Sequence, residues 1–403
     1  MGLGKTYTGS EKLKELGARV NLIVCQKSKI LDWINHMTVH YGGKYFVYDL
    51  TNIKDCEFDK FLNYEKIFKE FPHMKIVGVI NYDLVFRRPG LQQLKDFTLL
   101  LDESSLIQNP KAKRTKFIMS LSPINIILLS GTPTGGKYER LLTQMHLLGW
   151  KISETMFWNQ YVDWEWNETQ DGFWQKRILG YKNEERLKRK MRQHGCNFLK
   201  TDEVIDLPEQ IEQTIRVSVT SEYRKFHEHS YLEAYDKEFV GDTVLTKMLY
   251  ERILCGRYNV DKLLAFQDLL RGTEDRLIVF YNFNIELDAL INIAEQSEKY
   301  ISIINGDRKE LQAYEECENS ITFIQYQAGA MGLNLQLANK MIFFTPPLSS
   351  ESFEQAKKRI HRVGQSKPCF YYYLVCKGSI EEHIYATLAM RRDYTKALFE
   401  ESE

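Results

Sequence analysis

A chain of 403 residues and 47.5 kDa is too long for one ordinary core and calls for two or three domains. Its residues are 43% hydrophobic and 27% charged, which excludes a disordered or low-complexity molecule, and 54 Lys plus Arg balance 54 Asp plus Glu. With zero net charge, any nucleic-acid partner must be met by local patches. The longest apolar runs, such as Ile124 to Leu129, are too short to span a bilayer, and the N-terminus does not resemble a signal peptide. Seven cysteines without a CxxC spacing read as reduced thiols in a cytoplasmic protein, not as a zinc site.

Val20 to Cys25 is a continuous apolar run suited to a strand buried on both faces. Similar runs follow at Lys75 to Ile80, Thr98 to Leu101 and Ile124 to Leu129, with amphipathic segments such as Ser28 to Tyr41 and Lys54 to Phe71 between them. Strands alternating with helices predict a parallel, helix-covered sheet. The pattern restarts at Arg276 to Tyr281, Ile301 to Ile304, Ile321 to Tyr326 and Met341 to Phe344. Between the two halves, residues 151–200 hold four of the six Trp and a basic run, Arg186 to Arg192. This stretch reads as a helical insertion packed on the first lobe. Pro208 breaks any helix, which places the connection between lobes at 201–220, after a first lobe of 1–200 and before a second of 221–403.

Three strand-end motifs carry chemistry in the first half. Gly2-Leu3-Gly4-Lys5-Thr6 looks like the end of a phosphate-binding loop. There Lys5 would reach the β and γ oxygens and the Thr6 hydroxyl would hold Mg²⁺. A terminal Gly-Lys-Thr is weak by itself. Leu99 to Leu101 then runs into Asp102-Glu103-Ser104-Ser105, an apolar strand ending in two carboxylates, one to hold the metal and one to polarise the attacking water. Ser130-Gly131-Thr132-Pro133 follows the next strand, at the edge where open α/β sheets bind ligands. In the second half, Gln355, Arg359 and Arg362 fall at i, i+4 and i+7 in Gln355 to Gln365, one face of an expected helix. Two guanidiniums there suit the charge of a transferred phosphoryl group.

The order GLGKT, DESS, SGTP, AGAMGLNL (Ala328 to Leu335) and QAKKRIHRVGQ resembles superfamily 2 helicases, and more narrowly the Swi/Snf-type DNA-dependent ATPases. The resemblance covers essentially the whole chain. It implies an α/β fold of two RecA-like P-loop lobes, with ATP and Mg²⁺ in the cleft between them. It makes Gly2, Gly4, Lys5, Thr6 and Gly332 nucleotide ligands, Thr6 and Asp102 metal ligands, and Glu103 the catalytic base. Arg359 and Arg362 become arginine fingers, with Gln355 beside them. Ser130, Thr132 and Asn334 become coupling residues. Asn282-Phe283-Asn284 is similar to the family's fourth motif, and Ser105 stands where His is usual. The phosphate loop begins before residue 1, so the chain reads as truncated within it, and its compactness looks like a phage or bacterial protein.

The leading function is an ATP-driven motor on double-stranded DNA, monomeric, with no membrane partner and with phage or host replication or recombination proteins as further partners. The alternative is a nucleic-acid clamp that no longer turns over ATP. An unrelated P-loop kinase ranks last, because it needs no second lobe with two such arginines. Candidate phosphate contacts are Lys111, Lys113, Arg114 and Lys116, and Lys188, Arg189 and Lys190. For both runs a solvated helix face is an equal reading.

Overall fold

Alternate residues of Val20–Cys25 go to opposite faces of one sheet and all six are buried, as a strand covered by helices on both sides requires. The computed structural model describes residues 4–52, 57–168, 174–198, 206–329 and 333–399, apart from the side chains of 329 and 392–399. The chain divides into two compact units, Gly4–Leu199 and Lys200–Arg392.

In the first unit, β1 (Val20–Cys25), β2 (Tyr45–Asp49), β3 (Lys75–Asn81), β4 (Phe97–Asp102) and β5 (Asn125–Leu129) form a sheet in the order β2-β3-β1-β4-β5. Every neighbouring pair is parallel. Val20, Leu22 and Val24 pack on one face with Leu99 and Leu101, while Ile23 and Cys25 meet Trp33, Met37 and Leu100 on the other. The helix Lys5–Leu16 approaches the sheet closely at Gly9, where a Cβ would lie 2.8 Å from Leu129 Cδ1.

Two expectations change here. The amphipathic stretch 54–71 is not one helix. It forms Glu57–Leu62 and Tyr64–Glu70, broken where the Asn63 amide donates to the Asp59 carbonyl at 2.8 Å, while residues 53–56 lie outside the described ones. The Trp-rich stretch is not a helical insertion but an antiparallel ribbon, β6 (Val162–Glu168) with β7 (Trp174–Tyr181). Trp164 and Trp166 alternate with Asp163, Glu165 and Asn167, a period of two that a helix cannot accommodate. The flanking helices Glu154–Tyr161 and Glu184–Gln193 bury Phe157, Tyr161, Leu187 and Met191 in a local core with Tyr138 and Met145.

The second unit contains β8 (Gln210–Ser218), the hairpin β9 (Tyr231–Ala234) and β10 (Lys237–Val240), then β11 (Leu277–Tyr281), β12 (Tyr300–Ile304), β13 (Ser320–Gln325), β14 (Lys340–Phe343) and β15 (Cys369–Lys377). Six of these form a parallel sheet in the order β12-β13-β11-β14-β15-β8. Residues 210–218, expected within the connection, are therefore the outer strand of this sheet. Pairing with the full length of β15 overrides the exposure of their side chains. Both units thus have the expected α/β architecture, and no helix among the described residues is long and apolar enough to cross a membrane.

A buried ion pair locks the second unit. Lys262 Nζ donates to both Glu381 oxygens at 2.6 and 2.8 Å, both side chains are wholly inaccessible, and the Cys376 amide donates to Glu381 at 3.0 Å. Lys262→Met leaves Glu381 buried without a counter-charge and is expected to cost about 3–5 kcal/mol in urea unfolding of this unit. A loss under about 1 kcal/mol would show that the pair does not hold the unit together.

Candidate active site

The register of the first sheet sets Asp102 opposite Leu129, so the next residues of the two chains, Glu103 and Ser130, are neighbours beyond the strand ends. Glu103 takes a φ of 60°, a left-handed conformation that costs a residue with a Cβ about 1–2 kcal/mol. Its carboxylate collects three donors. Lys5 Nζ lies 2.9 Å from Oε2, and Ser130 Oγ and the Gly131 amide lie 3.1 and 3.5 Å from Oε1. Burial by itself would raise the pKa of Glu103, but the Lys5 ammonium and these hydrogen bonds outweigh it and hold the carboxyl below its ordinary value.

Asp102 behaves oppositely. Burial pushes its carboxyl up, offset only in part by Lys5 and by the Trp33 indole, which donates to Oδ2 at 2.9 Å. Two adjacent carboxyls are thus driven apart in proton affinity, a pattern found where they have different tasks. Asp102 is short of positive charge. Its carboxylate, like the Thr6 hydroxyl, is a hard oxygen donor of the class that Mg²⁺ takes.

The helix Lys5–Leu16 begins at Gly4, whose φ is 69°, with no side-chain cap and no acidic residue in its first turn. An uncapped helix start followed by Lys5 is suited to an anion. Gly2, assigned to the same loop, lies outside the described residues.

The loops after β4 and β5 are tied together by two glutamines. Gln144 accepts from Ser104 Oγ at 2.8 Å and donates to the Pro133 carbonyl at 2.8 Å, and Gln108 donates to the same carbonyl at 2.8 Å. The Thr132 amide donates to Ser130 Oγ at 3.2 Å, while the buried Thr132 hydroxyl has no hydrogen-bond partner among the described residues. Gln108, Gln144 and Trp33 were not legible as site residues, since nothing in their local pattern separates them from ordinary core and surface positions.

In the second unit the expected helix face is not formed. The helix Ser350–Lys357 holds Gln355, but Arg359 lies in a turn and Arg362 in a bend beyond its end. The helix gives way after Lys357, where the Arg359 amide donates to the Ala356 carbonyl at 3.0 Å, an i to i−3 turn in place of the helical bond. The Arg359 carbonyl accepts from the Leu335 amide at 3.2 Å, and the Ile360 carbonyl accepts from Gln365 Nε2 at 3.2 Å. Gln365 also donates to the Gln336 and Ala338 carbonyls, so it pins this turn to the 333–338 loop. Arg362 donates to the Leu333 carbonyl at 3.2 Å, and burial lowers its pKa. Gln355 donates to Glu351 at 3.3 Å. Asn334 is exposed beside Leu333, and Gly332 lies outside the described residues.

Of the basic residues, Lys111, Lys113, Lys116 and Arg189 are exposed. Arg114 is committed to the Leu106 carbonyl at 2.9 Å, Lys188 is buried and paired with Glu185 at 2.8 Å, and Lys190 donates to Gln193. Lys188 is therefore not a surface contact.

Asn282 donates to the Thr345 and Pro346 carbonyls, joining the ends of β11 and β14. Behind it, Glu286 Oε2 accepts the Asn282 and Phe283 amides and the Thr345 hydroxyl at 3.0 to 3.1 Å, while Oε1 has no hydrogen-bond partner among the described residues. Burial pushes Glu286 up to about 7 against those bonds.

Comparison with known proteins gives the same direction. Residues 1–271 match the family described as SNF2-related domain, and residues 261–364 match the helicase conserved C-terminal domain. A SWI/SNF-related matrix-associated actin-dependent regulator of chromatin subfamily A-like protein 1 of Drosophila melanogaster is 23% identical over 98% of this chain and 52% of its own length. An uncharacterized ATP-dependent helicase of Bacillus subtilis is 23% identical over 95% of this chain and 72% of its own. A DNA repair and recombination protein RAD54-like of Drosophila willistoni is 27% identical over 51% of this chain and 29% of its own. The chain spans about half the length of the first curated relatives it matches.

Two outcomes check the electrostatics. Lys5→Ala strands the buried Glu103 charge and is expected to lower the melting temperature at about pH 8, and adding Glu103→Gln should recover most of the loss. A double variant melting no higher than Lys5→Ala would contradict the pairing. For Glu286 the folded pKa of about 7 lies above the ordinary 4.5. Its stabilisation is therefore complete below about pH 4.5 and lost as pH rises through about 7. The melting curve of the wild type should fall from about pH 5 to about pH 8 by more than that of Glu286→Gln; parallel curves would refute the assignment.

Proposed function

This chain belongs to the SNF2-related family, and from that premise we propose that it is an ATP-dependent translocase on double-stranded DNA, with ATP as substrate and Mg²⁺ as cofactor. The observation that carries the reading is the cluster of Lys5, Glu103 and Ser130 beside Asp102 at the end of β4. Lys5 and the first N–H groups of its helix would bind the β and γ phosphate oxygens. Asp102 and Thr6 would hold Mg²⁺, which when bound would neutralise charge developing on the transferred phosphoryl group.

Glu103 would orient and deprotonate the attacking water. It is suited to this because Lys5, Ser130 and Gly131 favour its ionised form. Drawing Lys5 toward phosphate removes one partner and leaves those from Ser130 and Gly131, so substrate binding itself would release the base. Arg359 and Arg362 would serve as the arginine fingers that the family resemblance implies, and Gln355 and Asn334 would support that segment. Ser130 and Thr132 would couple the site to DNA. The shared hold of Gln108 and Gln144 on Pro133 supports this, because it joins the two loops that carry Glu103 and Thr132.

DNA as partner is supported by relatives named for DNA repair and recombination and for chromatin remodelling. Exposed Lys111, Lys113, Lys116 and Arg189 would meet phosphates without regard to sequence. The test is steady-state ATP hydrolysis with and without duplex DNA. Duplex should stimulate turnover, Glu103→Gln should lower kcat by on the order of 10³-fold, and Arg362→Ala should lower it by a similar factor. Duplex retention by a wild-type chain without turnover would instead identify a clamp.

A further inference from the structure

The ribbon of β6 and β7 has two unlike faces. The pairs Trp164–Ile178, Trp166–Lys176 and Glu168–Trp174 share one face, and Glu165–Arg177 and Asn167–Gln175 share the other. The second face is an ordinary solvated surface, with Glu165 and Arg177 ion-paired at 3.6 Å. The first is not. Trp166 and Trp174 are 56% and 63% exposed, values that no packing requirement explains and that leave large apolar area in water. Trp158, Trp164 and Trp166 form a chain of edge-to-face contacts with centroids 6.2 and 5.5 Å apart. Lys176 Nζ sits over both Trp158 and Trp164, at 4.4 and 4.5 Å from the ring centroids. Among the described residues no carboxylate forms an ion pair with Lys176, whose ammonium lies against the indoles.

We propose that this face is a binding site for an unpaired DNA strand, whose bases stack on the indoles of Trp166 and Trp174 while Lys176 meets its phosphates. Charge on the same segment favours a nucleic acid over a protein surface. Over the whole ribbon and the helix Glu184–Gln193, from Val162 to Gln193, there are eight Lys and Arg against six Asp and Glu, a small positive excess in a molecule of zero net charge. Stacking platforms combined with basic funnels bind single strands with little sequence preference, because every base presents a π-face. Trp166 and Trp174 are diagonal neighbours across the two strands, roughly 7–8 Å apart, a separation that lets neighbouring bases each take a ring. The proposal rests on the DNA-acting reading above only for the choice of polymer, and it goes beyond it by adding a second site specific for unpaired strands.

The experiment uses the 403-residue chain, fluorescein-labelled oligo-dT and a blunt duplex, with binding read by anisotropy and ATP hydrolysis read on the duplex. Trp166→Ala/Trp174→Ala is expected to weaken oligo-dT binding by at least about tenfold. Duplex affinity and duplex-stimulated hydrolysis should stay within about twofold of wild type. Trp166→Phe/Trp174→Phe, which keeps a stacking ring at each position, should retain oligo-dT binding to within about threefold. Lys176→Glu should weaken it and flatten its salt dependence. Unchanged oligo-dT binding in the alanine variant, or equal loss on oligo-dT and duplex, overturns the proposal, as does saturable binding of an unrelated protein to the wild-type face with no oligo-dT binding. A wild type that binds oligo-dT through these rings but shows no duplex-stimulated hydrolysis would leave this site standing and remove the translocase reading.

Discussion

The ion pair between Lys5 and Glu103 is the contact on which the proposed chemistry of the first unit would depend. It spans 98 residues of sequence and holds the start of one helix against the end of β4. Both partners keep some access to solvent, with 25% and 13% of their side chains exposed, so the pair can exchange. A carboxylate held by a lysine, a serine and a backbone amide remains ionised while it waits. The same lysine is the group an incoming phosphate would claim. Lys5 and Glu103 therefore neutralise each other in the resting site, and on the proposed reading an incoming phosphate would compete for the lysine.

The contrast with Lys262 and Glu381 separates two uses of one chemistry. That pair is fully inaccessible, bidentate and tied to the Cys376 backbone, so no ligand can compete for it, and it serves the fold. Glu103 and Lys5 are joined by a single contact at a strand end, where register and a left-handed turn keep them accessible. Geometry, not residue type, decides which pair is structural and which is available for catalysis. The glutamines on Pro133 add a further condition, because movement at Glu103 reaches Thr132 through hydrogen bonds already in place.

Much of this could be read in the sequence because parallel strands buried on both faces are written as unbroken apolar runs. Val20–Cys25 and Leu277–Tyr281 are examples, and the polar residue that ends each run marks the sheet edge where ligands bind. Asp102, Glu103 and Ser130 were found that way. Periodicity makes Gln355 to Arg362 one helix because it reports only which residues could share a face. The helix gives way because the Arg359 amide turns back to the Ala356 carbonyl, and Leu335 and Gln365, one distant and one beyond the turn, hold the carbonyls of the turn that follows. Trp33, Gln108 and Gln144 were invisible for a related reason, since their roles arise from tertiary hydrogen bonds with no local signature. The Trp-rich stretch is a ribbon and not helical, in keeping with the alternation of period two in its sequence.

Nucleotide affinity measured by isothermal titration with Mg²⁺ and ATP tests the central claim most directly. If Lys5 is held by Glu103 until phosphate displaces it, Glu103→Gln frees the lysine and should tighten ATP binding by about 3- to 10-fold, while Lys5→Ala should abolish it. Wild-type affinity or weaker binding in Glu103→Gln would contradict the account, because Lys5 would then not be restrained by the base it is paired with.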